Sequence, residues 1–298
     1  MTRRELLASL ALAPAVAQAQ TTPQFRKSIC STAMPPKMPL AEKFAAAKDA
    51  GFEGIELRMA DELPLDATPD DLARLADAAR KTGITIVSVW ASGPLGKAPL
   101  NNPDPAVRER GVAAIRQAIG FASKLNCGAI LLYPGRVGSG TKFDIGYEDT
   151  WNRFTAELKK VVPDAESARV CLTMENVWNK FLLSPLEMRA FVDQFHSPWL
   201  QAHFDMGNVM QFGFPQDWIL TLGPRVRRIH VKDYKLSTRA EQGHFVPLFE
   251  GDVDFKGVMQ ALVKTGYHGF LSPEYGYETE PGYLRGLSEK LDRILAMA

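Results

Sequence analysis

The stretch KDAGFEGIEL, residues 48–57, and the stretch VKTGYHGFLSPE, residues 263–274, follow one plan. Each closes a helix-like segment, supplies a glycine suited to a left-handed cap (Gly51, Gly266), and continues with an aromatic residue, a second glycine and a β-like run. A helix-to-strand unit that recurs near both ends of a chain is what stacked β/α repeats produce.

Working outward, eight strand-like runs alternate with helix-like segments: KSICST, GIEL, ITIVSVW, GAILLY, RVCLTME, LQAHFD, RRIHVKD and GFLSPE. Helices are predicted over 41–50, 69–82, 105–125, 147–161, 185–196 and 255–265, with a less regular connection over 208–225 and a closing amphipathic helix near the C-terminus. Pro69, Pro105 and Pro185 fall at helix starts, where a missing N–H costs nothing, and Thr68 and Ser184 precede two of them as N-caps. Strand and helix in strict alternation fit either an open doubly wound sheet or a closed barrel. The segment after the first run, STAMPPKMPL, lacks the glycine-rich phosphate turn of a dinucleotide-binding sheet. The expected fold is therefore α/β, a single (β/α)8 TIM barrel over residues 23–298.

Composition agrees with an ordinary globular chain. Of 298 residues, 46% are apolar and 23% charged, and the formal net charge is +1, so a polyanionic partner such as nucleic acid is not expected. Residues 1–22 read as an export signal: Arg3 and Arg4, an apolar stretch from Leu6 to Val16, then small residues in A-x-A spacing. The twin-arginine form predicts a periplasmic destination, with no membrane span in the mature chain. Cys30, Cys127 and Cys171 are odd in number and show no C-x-x-C spacing, so they are read as small core residues.

In a parallel barrel the chemistry gathers at the C-terminal ends of the strands. Here those ends are acidic: Glu56 in GIEL, Glu175 in CLTMEN, Asp205 in AHFD, His230, Lys232 and Asp233 in RIHVKD, and Glu274 in LSPE. Converging carboxylates repel unless protonated or neutralised, and a divalent cation is the simplest neutraliser. Glu175, Asp205, His230 and Glu274 come from four successive strands. Three carboxylates and an imidazole suit Mn²⁺, Mg²⁺ or Co²⁺, with Zn²⁺ less well matched for want of further nitrogen or sulfur ligands. Alternation along the strand puts His203 on the same face as Asp205 but about 6 to 7 Å deeper, a supporting histidine. Lys232 is a candidate for a substrate oxygen or for pairing with an acid. Trp90 and Tyr133, at the ends of the third and fourth strands, are candidate walls of a substrate pocket.

The order and spacing of LAEKFAAAKDAGFEGIEL, LTMENVW, HFDMGN, RIHVKD, FEGDVDF and SPEYG resemble the sugar isomerase and epimerase branch of the xylose isomerase-like barrels, which includes D-tagatose 3-epimerase, hydroxypyruvate isomerase and inosose dehydratase. The resemblance implies metal ligation by Glu175, Asp205, His230 and Glu274, with Glu175 and Glu274 also acting as the acid/base pair on the two faces of a ketose or keto-sugar through an enediolate. It places Glu56 in the substrate pocket and assigns Asn208 a substrate-facing position where many epimerases of this type carry histidine. The implied activity is metal-dependent isomerisation or epimerisation of a small sugar, in a chain that can also form a homo-oligomer. The same site would serve a dehydratase of a keto-sugar or inosose; a barrel that binds sugar without catalysis and a phosphoesterase similar to endonuclease IV are the other readings.

Overall fold

The computed structural model describes residues 25–237 and 243–298, so the export signal read in residues 1–22 lies outside the described residues. Eight parallel strands close into a barrel: β1 (Phe25–Cys30), β2 (Gly54–Arg58), β3 (Thr85–Trp90), β4 (Ala129–Leu132), β5 (Cys171–Glu175), β6 (Leu200–Asp205), β7 (Val226–Val231) and β10 (Gly269–Pro273). They follow chain order around the ring, with β10 beside both β7 and β1. A short antiparallel hairpin, β8 (Asp233–Lys235) and β9 (His244–Val246), is inserted after β7.

Among the described residues ten α-helices surround the strands: α1 (Leu40–Asp49), α2 (Pro69–Thr82), α3 (Ser92–Lys97), α4 (Pro105–Lys124), α5 (Tyr147–Lys159), α6 (Val162–Ala168), α7 (Pro185–Asp193), α8 (Pro215–Leu222), α9 (Phe255–Thr265) and α10 (Tyr283–Leu295). The expected local chemistry is present. Thr68 with Asp71 and Ser184 with Glu187 form reciprocal capping boxes, and Gly51 (φ 93°) and Gly266 (φ 69°) take the left-handed conformation after α1 and α9. The expected helix over 147–161 ends at Lys159, and α6 follows from Val162, where Pro163 sits in a first helical turn. Among the described residues no helix is long and apolar enough to cross a membrane.

The main apolar core lies between the barrel and the helices. Ile55, Leu57, Ile130, Leu172, Phe204 and Ile229 point outward from the strands into it and are fully buried. The inward faces are polar by comparison, carrying Ser28, Glu56, Ser88, Thr173, Glu175, His203, Asp205, His230 and Ser272. Phe204 and Asp205 show the alternation within one step: Phe204 stacks on Trp218 of α8, while the next side chain turns into the barrel. Cys30, Cys127 and Cys171 are all buried free thiols.

Candidate metal centre at the barrel mouth

Strand register brings the predicted ligands together. Asp205 of β6 pairs directly with His230 of β7, and Ser272 of β10 pairs with His230 on the other side, so Glu274, two residues further along, stands just above the imidazole. A register shift between Ala202 and His203 sets this alignment; such bulges re-aim side chains beside functional sites. One donor atom from each of Glu175, Asp205, His230 and Glu274 lies within 4.8 Å of the others. His230 Nδ1 is 3.0 Å from Glu175 Oε1, 3.0 Å from Glu274 Oε2 and 3.9 Å from Asp205 Oδ2.

The four groups are held from behind. Asp205 Oδ1 accepts from the backbone N–H of Asn208 at 2.7 Å, which leaves Oδ2 facing the mouth. The side chain of Asn176 accepts from the Asp205 N–H and donates to its carbonyl, both at 2.8 Å, and Asn208 Nδ2 donates to the Asn176 carbonyl at 2.9 Å. Asn208 is thus buried in a clamp between the β5 and β6 ends, with its amide nitrogen spent on backbone, rather than presented to a substrate. Asn176 did not emerge from the sequence as a site residue; its signal is its place directly after Glu175.

Glu175 Oε2, Asp205 Oδ2 and Glu274 Oε2 are buried oxygens that receive no well-aligned hydrogen bond. Lys232 Nζ stands 2.9 Å from Asp205 Oδ2 and 2.5 Å from Glu274 Oε2, supplying one positive charge against three carboxyls. Buried polar atoms are nearly always paired, so three clustered carboxylates, with Glu175 Oε2 unpartnered and Asp205 Oδ2 and Glu274 Oε2 met only by ion pairs, fit a hard divalent cation well.

Burial and charge also split the acids. Burial pushes the Glu175 carboxyl up to about 7, against the pull of His230, while at Glu274 the combined attraction of His230 and Lys232 outweighs burial and holds the group at about 2. Burial likewise raises Asp205, partly offset by Lys232. Burial would discharge His230, but the acids around it raise it well above the ordinary histidine range; His203, with burial and the neighbouring His230 against it, is driven low.

Beneath this layer, His203 is fully buried, with Nδ1 3.3 Å from Thr173 Oγ1 and its ring centroid 4.1 Å from that of His230. Glu56 also lies in this lower layer. Strand β2 runs on to Arg58, so Glu56 is inside the barrel rather than at its rim, and its oxygens accept from Ser88, Trp90 and Ser272. Trp90 packs with Cys30 and Leu131 in a small apolar cluster that Tyr133 adjoins. Tyr133 continues into a cavity of about 240 Å³ bounded by Leu95, Leu100, Arg136 and Asn179. Burial, with Glu175 and Glu274 nearby, raises the Tyr133 hydroxyl far above the ordinary tyrosine range, so it is a neutral donor beside the acids. Lys232 closes the other side, its Nζ 5.4 Å from the Phe245 ring centroid on the hairpin.

The motif FEGDVDF also finds a place. Asp233 accepts from the backbone N–H groups of Gly251 at 2.9 Å and Val253 at 3.2 Å, tying that loop to the end of β7. A side chain at Gly251 would meet the Asp233 carboxylate, so glycine is needed for the approach.

Comparison with known proteins places this geometry. The chain is 31% identical over 240 residues to SgbU of Escherichia coli K12, whose name marks it as a candidate L-ribulose-5-phosphate 3-epimerase, covering 76% of this chain and 80% of that one. It is 29% identical over 239 residues to the L-ribulose-5-phosphate 3-epimerase UlaE of the same organism, covering 76% and 79%. A crystal structure of a D-tagatose 3-epimerase-like protein superposes with a TM-score of 0.75 at 19% identity, covering 91% of this chain and 97% of that one, a likeness of fold. The model of the xylose isomerase-like TIM barrel matches residues 44–294, from within α1 almost to the end of α10. On that match, the chain belongs to the xylose isomerase-like TIM barrel family.

Proposed function

We propose that the chain is a divalent-metal-dependent sugar epimerase that inverts the carbon beside the carbonyl of a ketose. The observation that carries this reading is the convergence of the buried carboxylates of Glu175, Asp205 and Glu274 around His230 Nδ1. The names of SgbU and UlaE favour epimerisation over the isomerase, dehydratase, binding and phosphoesterase readings. Glu175, Asp205, His230 and Glu274 would hold the cation, for which Mn²⁺, Mg²⁺ and Co²⁺ are the best matches. When bound, it supplies Lewis acidity that stabilises negative charge developing on the substrate's carbonyl oxygen.

The protein's own groups divide the proton work. One of Glu175 and Glu274 takes the carbon-bound proton, and the other returns one to the opposite face of the same carbon. Strands β6 and β7 separate the two glutamates around the ring, a spacing that supports their working on the two faces of a bound sugar. Trp90 and Tyr133 wall the pocket, and Lys232 meets a substrate oxygen or stays with the acids. The proposed setting is the periplasm, on the strength of Arg3, Arg4 and the apolar run behind them. An exported enzyme would meet free ketoses rather than phosphorylated ones.

Product analysis by NMR with a panel of free and 5-phosphorylated ketoses tests the reading. Interconversion of a C3-epimer pair supports it; turnover that ends in loss of water, or none with any ketose, contradicts it.

A further inference from the structure

Among the described residues Glu56 has no lysine or arginine partner, although it is a fully buried carboxylate at the centre of the barrel. Trp90 Nε1 donates to Oε2 at 2.7 Å and Ser88 Oγ to the same oxygen; Ser272 Oγ donates to Oε1 and is itself bonded to Ser28 Oγ at 2.6 Å. The donors come from β3 and β10, and Ser28 of β1 stands behind Ser272, so the carboxylate is held from two strands and backed by a third. A register shift at Glu56 between β2 and β3 brings Ser88 opposite it. Charged groups are rarely buried this way without a purpose, because the desolvation cost is large.

What remains for the carboxylate to act on is imidazole. His230 Nε2 lies 3.4 Å from Glu56 Oε2, and His203 Nε2 lies 4.0 Å from it. The opposite ring nitrogen of His230, Nδ1, is the atom that meets Glu175 and Glu274. Cys30, which clusters with Glu56 and His230, is a buried thiol whose ionisation burial strongly opposes.

We propose that Glu56 is a positioning residue for the metal centre: it holds the Nε2–H of His230, fixing the ring so that the Nδ1 lone pair faces the three carboxylates. The inference rests on the metal-site reading above and adds a carboxylate that touches neither substrate nor cation. A histidine ligand whose far nitrogen is held by a carboxylate is both oriented and made more basic, and losing such a partner weakens metal binding by about 10–100-fold.

The test uses the full chain as wild type and as Glu56→Gln, with Trp90→Phe as a milder variant that keeps an aromatic ring but removes the donor to Glu56. Co²⁺ affinity is measured by competition with a chromophoric chelator. ¹⁵N-histidine NMR of the Zn²⁺-loaded protein reads the His230 tautomer, and thermal melting reports folding. The expected result is Co²⁺ binding about 10–100-fold weaker in Glu56→Gln and less weakened in Trp90→Phe, with faster exchange of the His230 Nε2–H. Wild type without Co²⁺ affinity would fail the metal-site reading itself. Wild-type affinity with folded variants of unchanged affinity and unchanged Nε2–H signal would overturn the role of Glu56 alone. If Glu56→Gln does not fold, Trp90→Phe decides by the same criteria.

Discussion

Asn208 and Asp205 are joined twice over: the Asn208 N–H binds Asp205 Oδ1 at 2.7 Å, and the Asn208 side chain reaches across to the carbonyl of Asn176, which in turn grips the Asp205 backbone. The first bond comes from backbone and survives any substitution that keeps the turn. The second does not. Asn208→Ala would leave the buried Asn176 carbonyl without its donor, a loss of about 1–3 kcal/mol. Thermal melting should show a drop of a few degrees, while metal affinity changes little because the Asp205 Oδ1 bond remains. A large loss of affinity with unchanged melting would reverse that assignment.

Lys232 is the cation that the acids already possess. Replacing it by methionine removes the charge beside Asp205 Oδ2 and Glu274 Oε2 and leaves a partly buried acid pair uncompensated, which is costly. The metal-free variant should melt lower than wild type, and Mn²⁺ should raise its melting temperature by more than it raises that of wild type. Equal shifts on adding Mn²⁺ would mean that Lys232 and the cation do not answer the same negative charge.

Metal affinity should depend on pH through Glu175. Its carboxyl is pushed up to about 7 by burial, so below that pH a proton competes with the cation. Affinity is therefore highest above pH 7 and falls by about tenfold for each unit below it while one proton is displaced. His230, also held above its usual range, steepens the fall if its Nδ1 proton must leave as well. Titrations between pH 5.5 and 8 measure the slope; affinity flat across that window would remove Glu175 from the ligand set.

Much of this was legible in the chain because parallel barrels obey position. The paired GFEG and GYHG units announced repeating helix-to-strand steps, and the acids at the ends of RVCLTME, LQAHFD and GFLSPE needed only the barrel to bring them together. Depth was harder to read. Glu56 looks like a rim residue until β2 is seen to run two residues further, and a bulge then gives it Ser88 as a partner. Helix α3 hides in SGPLGK, whose glycines and proline speak against a helix, and RRIHVKD hides the break at Lys232 that starts the hairpin. Asn208 reads as a contact for a ligand, whereas the fold spends its amide nitrogen on backbone, and Asn176, its partner in that clamp, draws no notice in the sequence.

The proton chemistry is the centre of the account, and deuterium uptake tests it most directly. A ketose incubated in heavy water with Mn²⁺-loaded wild-type protein should gain deuterium at the carbon beside its carbonyl as its epimer forms, and a chelator should stop both. Glu274→Gln should slow the exchange by about 10²–10⁴-fold. Exchange at the wild-type rate in folded Glu274→Gln or Glu175→Gln protein, with metal content unchanged, would contradict it.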